Sequence, residues 1–378
     1  MTPAARVQAA IDILNLVTAA ARDNGPAADT IIADWFRTRR FAGSGDRRAV
    51  REHVYAAIRA YGDVPTSGRA AMVGLARRDP ALAAWFDGTA YGPPCIGESE
   101  TGDVLSLLPD WLARLVPETE HEALLGRAPF DLRVNALRSD RAAVMALLPG
   151  AEAIADTAYG LRLPDNVPLA NRPELAGLVE VQDAGSQMVA AACRAAPGMT
   201  IVDLCAGAGG KTLALAADMA NAGRLVACDT DRGRLSRIEP RAAVAGAAII
   251  ATRLLDPNRE RVALADLAGS ADCVLVDAPC SGSGTWRRNP ELRWRLTQGR
   301  LKAVIELQSH VLDLGATLVK PGGALVYAVC SLIAAEGEGQ VAAFLARHQG
   351  RSLELSRLLT PSRDGCDGFY FARLRNAC

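Results

Sequence analysis

The sequence predicts an α/β chain: a doubly wound, mostly parallel sheet preceded by a small α/β module and an all-helical N-terminal domain. Three observations carry this reading. From about residue 176 onward, short apolar runs alternate regularly with helical stretches, the pattern of a parallel sheet with ligands at the carboxyl ends of its strands. The first of those runs, Thr200–Leu204, stops in a glycine-rich turn, Cys205-Ala206-Gly207-Ala208-Gly209-Gly210-Lys211-Thr212. Residues 1 to about 75 instead carry their apolar residues at helical spacing.

Length and charge set the limits. At 378 residues the chain exceeds one ordinary core, so two or three domains are expected. The 42 basic and 42 acidic residues cancel. No global basic field therefore argues for nucleic acid, and a polyanionic partner has to be met by local patches. Lys211, Lys302 and Lys320 are the only lysines in an arginine-rich chain, which makes a lysine inside a glycine turn hard to dismiss. The nine cysteines include no CxxC pair and resemble neither a disulfide framework nor a zinc site, so no metal is expected. Cys193, Cys228 and Cys273 lie in apolar runs and read as buried, inert thiols. A cytoplasmic, reducing setting fits.

The elements follow in order. Val7, Ala10, Ile11, Leu14 and Val17 form one helical stripe; Ile31, Ile32, Trp35 and Phe36 form a second; Val50, Val54, Ala57 and Ile58 form a third. Gln8, Asp12 and Asn15 interrupt the first stripe, giving an amphipathic helix and not a signal peptide. No uncharged apolar run approaches the roughly 18 residues of a membrane span, so no membrane partner is expected. The arginine-dense stretch 37–51 has two readings: a solvated turn with Asp46 as N-cap, or an edge that contacts phosphates.

The helical domain is placed at residues 1–86. A linker and connecting helix follow at 87–119, because Asp87 to Asp103 is rich in Gly, Pro, Ser and acidic residues. A small α/β module is placed at 120–175, with strands Phe130–Ala136 and Gly160–Leu163 around a helix at Arg141–Leu148. It can present Arg133 and Asn135 to RNA, or use them structurally. The remaining domain, 176–378, has candidate strands at Thr200–Leu204, Arg224–Asp229, Ala248–Arg253, Asp272–Asp277, Ala324–Cys330 and Gly368–Leu374.

The glycine turn admits three ligands. A phosphate-binding Walker loop needs glycine six residues before the lysine, where this chain has Cys205. A dinucleotide fingerprint needs glycine where this chain has Thr212. S-adenosylmethionine carries no phosphate and needs carboxylates instead. Taken singly, a strand-end aspartate is a turn former or helix cap. After this glycine turn Asp229, ending the second strand, is read as the acceptor of both ribose hydroxyls, while Asp256 after the third can accept the adenine amine or serve as a turn former. The candidate cofactor set is Asp203, Cys205, Ala206, Gly207, Gly209, Gly210, Lys211, Asp229, Arg234, Asp256 and Asp277.

Two later strands each end at a cysteine among small residues: Asp277-Ala-Pro-Cys280-Ser-Gly and Ala328-Val-Cys330-Ser331. C5 of a pyrimidine is a poor nucleophile until a thiolate adds at C6, so a cysteine beside a methyl donor is the minimal machinery for methylating that carbon. Such chemistry also needs the base splayed from its stack. Asp277 can hydrogen-bond the N3 edge, and Lys211 can lower a thiol pKa.

The run Asp277-Ala-Pro-Cys280-Ser-Gly-Ser-Gly-Thr-Trp-Arg-Arg-Asn-Pro-Glu-Leu-Arg-Trp294 resembles the signature of the RNA cytosine-5 methyltransferases of the RsmB/Nop2/Sun family. The likeness extends through Asp203–Thr212, Val181–Gln187, Leu132–Asn135 and Asp367–Leu374, and spans roughly residues 120 to 378. The N-terminal helices look like the NusB-like RNA-binding domain of bacterial members that act on small-subunit ribosomal RNA. The resemblance implies a Rossmann-like class I methyltransferase fold, S-adenosylmethionine as cofactor and RNA as partner, ribosomal RNA before transfer RNA. Nothing in the sequence suggests an obligate oligomer, and a monomer is expected. It implies Cys330 as the nucleophile, Cys280 as the residue that assists release, and Asp277 and Lys211 as the residues that position and polarise the base. One departure is Val329, where the family usually has threonine. The DNA enzymes attack with the Pro-Cys cysteine, so Cys280 as nucleophile is the internal rival. Arg287, Arg288, Arg293 and Arg295, interleaved with Trp286 and Trp294, are expected to meet RNA, with Trp294 as a core anchor.

Overall fold

The structure is a computed structural model and describes residues 1–164 and 167–377; Asp165 and Asn166, inside the predicted 120–175 module, and Cys378 lie outside the described residues. Two compact units make up the chain. One is Met1–Gly126 with Trp286–Thr297, and the other is Arg127–Thr285 with the chain from Gln298 onward.

The first unit is helical. Its main helices are α1 (Pro3–Asp23), α2 (Ala28–Arg37), α3 (Ser44–Ala60) and α4 (Gly68–Ala76). All three predicted stripes are buried in one core, each buried Val, Leu, Ile or Phe contributing about 1.5–3 kcal/mol relative to exposure. α1 passes the length and hydropathy test for a membrane span, yet most of it is packed into this core. Asp46 is not the N-cap of α3: it sits three residues inside, accepting from the Gly43 amide and pairing with Arg6 and the N-terminal ammonium.

Most arginines of the 37–51 stretch are paired locally. Arg37 meets Asp34, Arg48 meets Glu52 and Arg51 meets Asp29, while Arg39 lies over the Trp35 ring. Residues 87–103 are less free than a linker. Glu100 takes the Arg69 fork, and Asp103 accepts from both the amide and the hydroxyl of Thr66.

The arginine and tryptophan segment belongs to this helical unit, and several of its side chains have structural partners there. Arg293 is almost fully buried and donates to the carbonyls of Ile58, Arg59 and Tyr61, the orphan acceptors at the end of α3. Burial holds its guanidinium down at about 9. The Trp294 indole also donates to Tyr61, as expected of a core anchor, and Arg295 binds the carbonyls of Gly25 and Pro26. Arg287 is buried too. Arginine suits carbonyl clusters as well as phosphates because its fork carries five donors.

The second unit begins with a four-stranded antiparallel sheet in the order β2-β3-β1-β4: β1 (Phe130–Val134), β2 (Glu152–Ala153), β3 (Gly160–Leu163) and β4 (Val179–Val181), with α5 (Arg141–Leu147) between β1 and β2. Arg133 and Asn135 are structural here. Arg133 donates to Gln182, and the Asn135 amide donates to the carbonyls of Gly177 and Ala245.

α6 (Ala184–Ala191) leads into the large sheet. Its elements are β5 (Thr200–Asp203), α7 (Gly210–Asp218), β6 (Arg224–Asp229), α8 (Ile238–Ala245), β7 (Ile250–Leu254), β8 (Ala271–Asp277), α9 (Gln298–Leu318), β9 (Val319–Val329), α10 (Glu338–Arg347), β10 (Arg351–Leu359) and β11 (Phe369–Asn376). The seven strands lie in the order β10-β11-β9-β8-β5-β6-β7. β5 to β9 run parallel, and β10 and β11 are antiparallel additions at one edge. All six predicted strands are present. β9 starts five residues earlier than expected, at Val319, and β10 was not foreseen.

Candidate active site

β5 places the cofactor turn. Its last residue, Asp203, is buried, and the chain then turns through Leu204–Gly209 into α7. Leu204 and Ala206 donate to carbonyls of the neighbouring strands β8 and β6, at Leu275 and Cys228, which lays the turn across the sheet edge. Gly207 and Gly209 have φ of 56° and 86°, the left-handed region that glycine enters without strain. A Cβ on Gly209 would meet Ile238 at 2.9 Å. Gly207 instead faces open space, so the turn forms a cradle rather than a packed corner.

Carboxylates line this cradle. Asp229 accepts from the Gly207 amide at 2.7 Å and from the Asp231 amide at 2.8 Å. Asp203 accepts from the Thr212 hydroxyl at 2.7 Å, while its other oxygen is buried with no protein partner among the described residues. Burial pushes the Asp203 carboxyl up to about 7, against the Thr212 hydrogen bond and with smaller help from Asp277. An orphaned buried acceptor beside an open glycine cradle fits a ligand that brings donors and no phosphate, as S-adenosylmethionine does.

The other predicted cofactor residues fare unequally. Cys205 and Ala206 form the floor of the turn, and burial keeps the Cys205 thiol well above its usual range. Asp256 stands exposed beyond β7. Arg234 is exposed on a single-turn helix, with its amide donating to Asp231.

α7 carries Lys211 to the reactive end of the sheet. Its ammonium donates to Asp277 at 2.7 Å and lies 5.4 Å from the centre of the Phe369 ring. Burial by itself would lower the lysine, but the Asp277 carboxylate overrides it, with smaller help from Cys330 and Asp203, so the ammonium stays charged.

β8 and β9 are parallel neighbours with Asp277 opposite Ala328. Cys280 lies three residues beyond the first of these and Cys330 two beyond the second, and the sheet brings their sulfurs to 3.3 Å. The hydrogen bond to Cys330 holds the Cys280 thiol well above its usual range, and burial and the Glu336 charge act in the same direction. Val329, the departure from the family pattern, is buried in the sheet core.

Behind the cysteines lies a polar cluster that sequence reading did not find: Ser281, Ser283, Gln308, Ser331 and Glu336. The Cys-Ser-Gly-Ser and Cys-Ser runs are visible in the sequence. Glu336, in Ala334-Ala335-Glu336-Gly337, offers only the signal of an acid in an apolar stretch.

Residues 190–375 match the family described as 16S rRNA methyltransferase RsmB/F. The chain is 33% identical over 307 residues to the ribosomal RNA small subunit methyltransferase B of Sodalis glossinidius, covering 75% of this chain and 69% of that one. It is 35% identical over 305 residues to the probable ribosomal RNA small subunit methyltransferase B of Synechocystis, covering 71% and 67%. Among solved structures, a methyltransferase homolog protein from Pyrococcus horikoshii is 26% identical with a TM-score of 0.59, covering 68% of this chain and 89% of that one. NSun6 from Pyrococcus horikoshii, solved with the S-adenosylmethionine analogue SFG, shares the fold at 18% identity and a TM-score of 0.64, covering 71% and 97%.

Proposed function

The chain belongs to the RsmB/F family of 16S rRNA methyltransferases and is an S-adenosylmethionine-dependent RNA methyltransferase; from that premise we propose that it methylates C5 of a cytidine in small-subunit ribosomal RNA. The observation that carries the reading is the pair of thiols 3.3 Å apart on neighbouring strand ends, beside the Lys211–Asp277 pair.

S-adenosylmethionine supplies an electrophilic methyl group; Asp229 and the Gly207–Gly210 backbone are the groups that would hold it, with Asp203 as a further acceptor. The protein's own residues must make C5 nucleophilic. Of the two thiols, Cys280 is held neutral, which leaves Cys330, beside the Lys211 ammonium, as the nucleophile of this reading. The Cys330 thiolate adds to C6, and the electrons of the C5–C6 double bond become available at C5. Asp277 positions the base by accepting from its amine edge, and the Lys211 ammonium steadies the negative charge that develops toward N3 and O2. After the methyl group is accepted, the C5 proton passes to a water acting as base, the electrons of that C–H bond restore the C5–C6 double bond, the C6–S bond breaks and Cys330 departs as thiolate. The Cys280 S–H, in contact with that sulfur, stabilises its departure. Removing either group should stall a different half of the cycle.

The test compares Cys280→Ala and Cys330→Ala on 16S ribosomal RNA with S-adenosylmethionine present, scoring RNA that stays attached through a denaturing gel. Trapping by the Cys280 variant alone, with no methyl transfer by the Cys330 variant, is expected. Trapping by the Cys330 variant alone would exchange the roles. Transfer by both variants would end the covalent reading, and transfer to tRNA alone would replace the substrate.

A further inference from the structure

Glu336 is fully buried, six residues beyond Cys330, and its carboxylate is saturated. One oxygen accepts from the Ser281 amide at 2.8 Å and the Gln308 side-chain amide at 2.9 Å. The other accepts from the Ser281 and Ser331 hydroxyls, both at 2.5 Å. A carboxylate offers about four lone-pair sites, and four donors fill them. Its backbone is pinned as well, since the Tyr327 hydroxyl of β9 donates to the Glu336 carbonyl at 2.6 Å.

The donors are not arbitrary. Ser281 follows Cys280 and Ser331 follows Cys330, so one carboxylate grips the residue next to each cysteine. Gln308, from α9, also donates to the carbonyl of Pro279, the residue before Cys280, at 3.0 Å. A second strut runs in parallel: Ser283 bonds Ser331 at 2.9 Å and accepts from the Leu332 amide at 3.0 Å. Residues of two loops about fifty positions apart are thus tied through one buried anion. A buried carboxylate is costly unless its hydrogen bonds are made, so the network has one well-defined arrangement.

We propose that Glu336 is a positioning residue: it sets the approach of Cys280 and Cys330, and with it the balance between formation and release of the RNA adduct. The second half of this statement rests on the covalent reading above; the first half does not. Glu336 bonds neither sulfur, so it acts through the serines. Its charge, facing Cys280, also favours the neutral thiol on the cysteine that must not compete as nucleophile.

The experiment separates the two halves. Phenylarsine oxide chelates two thiols held close together, and the binding that disappears in Cys280→Ala reports this pair without any reaction. Glu336→Ala is expected to weaken that binding by about tenfold or more, while Glu336→Gln, whose amide can still bond both serines, stays within about threefold. In turnover, Glu336→Ala is expected to lower kcat by about tenfold to a hundredfold and to raise the fraction of RNA trapped as adduct, with S-adenosylmethionine affinity unchanged.

Should Glu336→Ala fail to fold, the Ser281→Ala/Ser331→Ala pair removes both hydroxyl arms at little cost in volume and is read in the same way. Arsenical binding that is unaltered in these variants would overturn the inference, whatever happens to activity. Weakened arsenical binding in a protein whose cysteines prove dispensable for methylation would leave the positioning role standing and defeat the covalent reading instead.

Discussion

Two neighbouring stretches of the sheet's carboxyl edge, one proposed to hold the cofactor and the other to carry the reactive thiols, are built differently. The cofactor edge, at the ends of β5 and β6, is a backbone construction: one decapeptide, Asp203 to Thr212, supplies the turn, the left-handed glycines and the first helical turn, and Asp229 ties it down. The reactive edge, at the ends of β8 and β9, is a side-chain construction. Its thiols are placed by Ser281, Ser331, Gln308 and Glu336, drawn from separate loops and a helix. A cradle made of backbone depends on φ angles that few residues can adopt, so it leaves a mark in the sequence. A cluster made of hydrogen-bonded side chains needs only donors and acceptors that happen to meet, so it leaves almost none.

Lys211 links the two edges, and its loss is the sharpest test of the contrast. Lys211→Met should lower methyl transfer by about 10²–10³-fold while S-adenosylmethionine affinity, measured by calorimetry, changes by less than about tenfold. Equal losses in both would mean that the lysine serves the cofactor edge alone. Asp229→Ala should do the reverse and weaken cofactor affinity by about a hundredfold, since it removes the proposed ribose acceptor and frees the Gly207 amide. An affinity within tenfold of the parent would move cofactor recognition away from that carboxylate.

Gly209→Ala probes the backbone directly. Its φ of 86° and the 2.9 Å approach to Ile238 should cost about 1–3 kcal/mol in denaturant unfolding. No change would show that the turn can relax.

The smallest effect comes from Asp203. Its folded carboxyl, raised to about 7, holds a proton that the unfolded chain releases near pH 4. The folded state therefore binds more protons across that window, and this group makes stability fall as pH rises, levelling off above the folded value. Asp203→Asn removes the effect. The stability of the variant relative to the cofactor-free parent should rise by about 1.4 kcal/mol between roughly pH 6 and pH 8. A difference independent of pH would show that the carboxyl titrates normally and that its orphaned oxygen is solvated.

Two arginine-rich segments show where composition misleads. Residues 37–51 and 286–295 look alike in sequence, yet several arginines of the first pair with acids of their own or neighbouring helices, whereas Arg293 is buried against the end of α3. Charge density indicates where arginine is concentrated and says nothing of which acceptors it will find.

What the sequence by itself determined is whatever rests on local periodicity and backbone conformation. The helical stripes of the first unit, the six strands of the catalytic sheet and the glycine turn were all readable, because each is specified within about ten consecutive residues. The cysteines were readable because each ends an apolar strand. The tertiary structure alone decided that their sulfurs lie 3.3 Å apart, that β10 joins the sheet edge by antiparallel pairing, and that Trp286–Thr297 packs with the helices. It also decided that Glu336 holds both cysteine loops. These depend on register between strands and on hydrogen bonds spanning tens to hundreds of residues, and the energy of such contacts exists only once distant segments have been brought together.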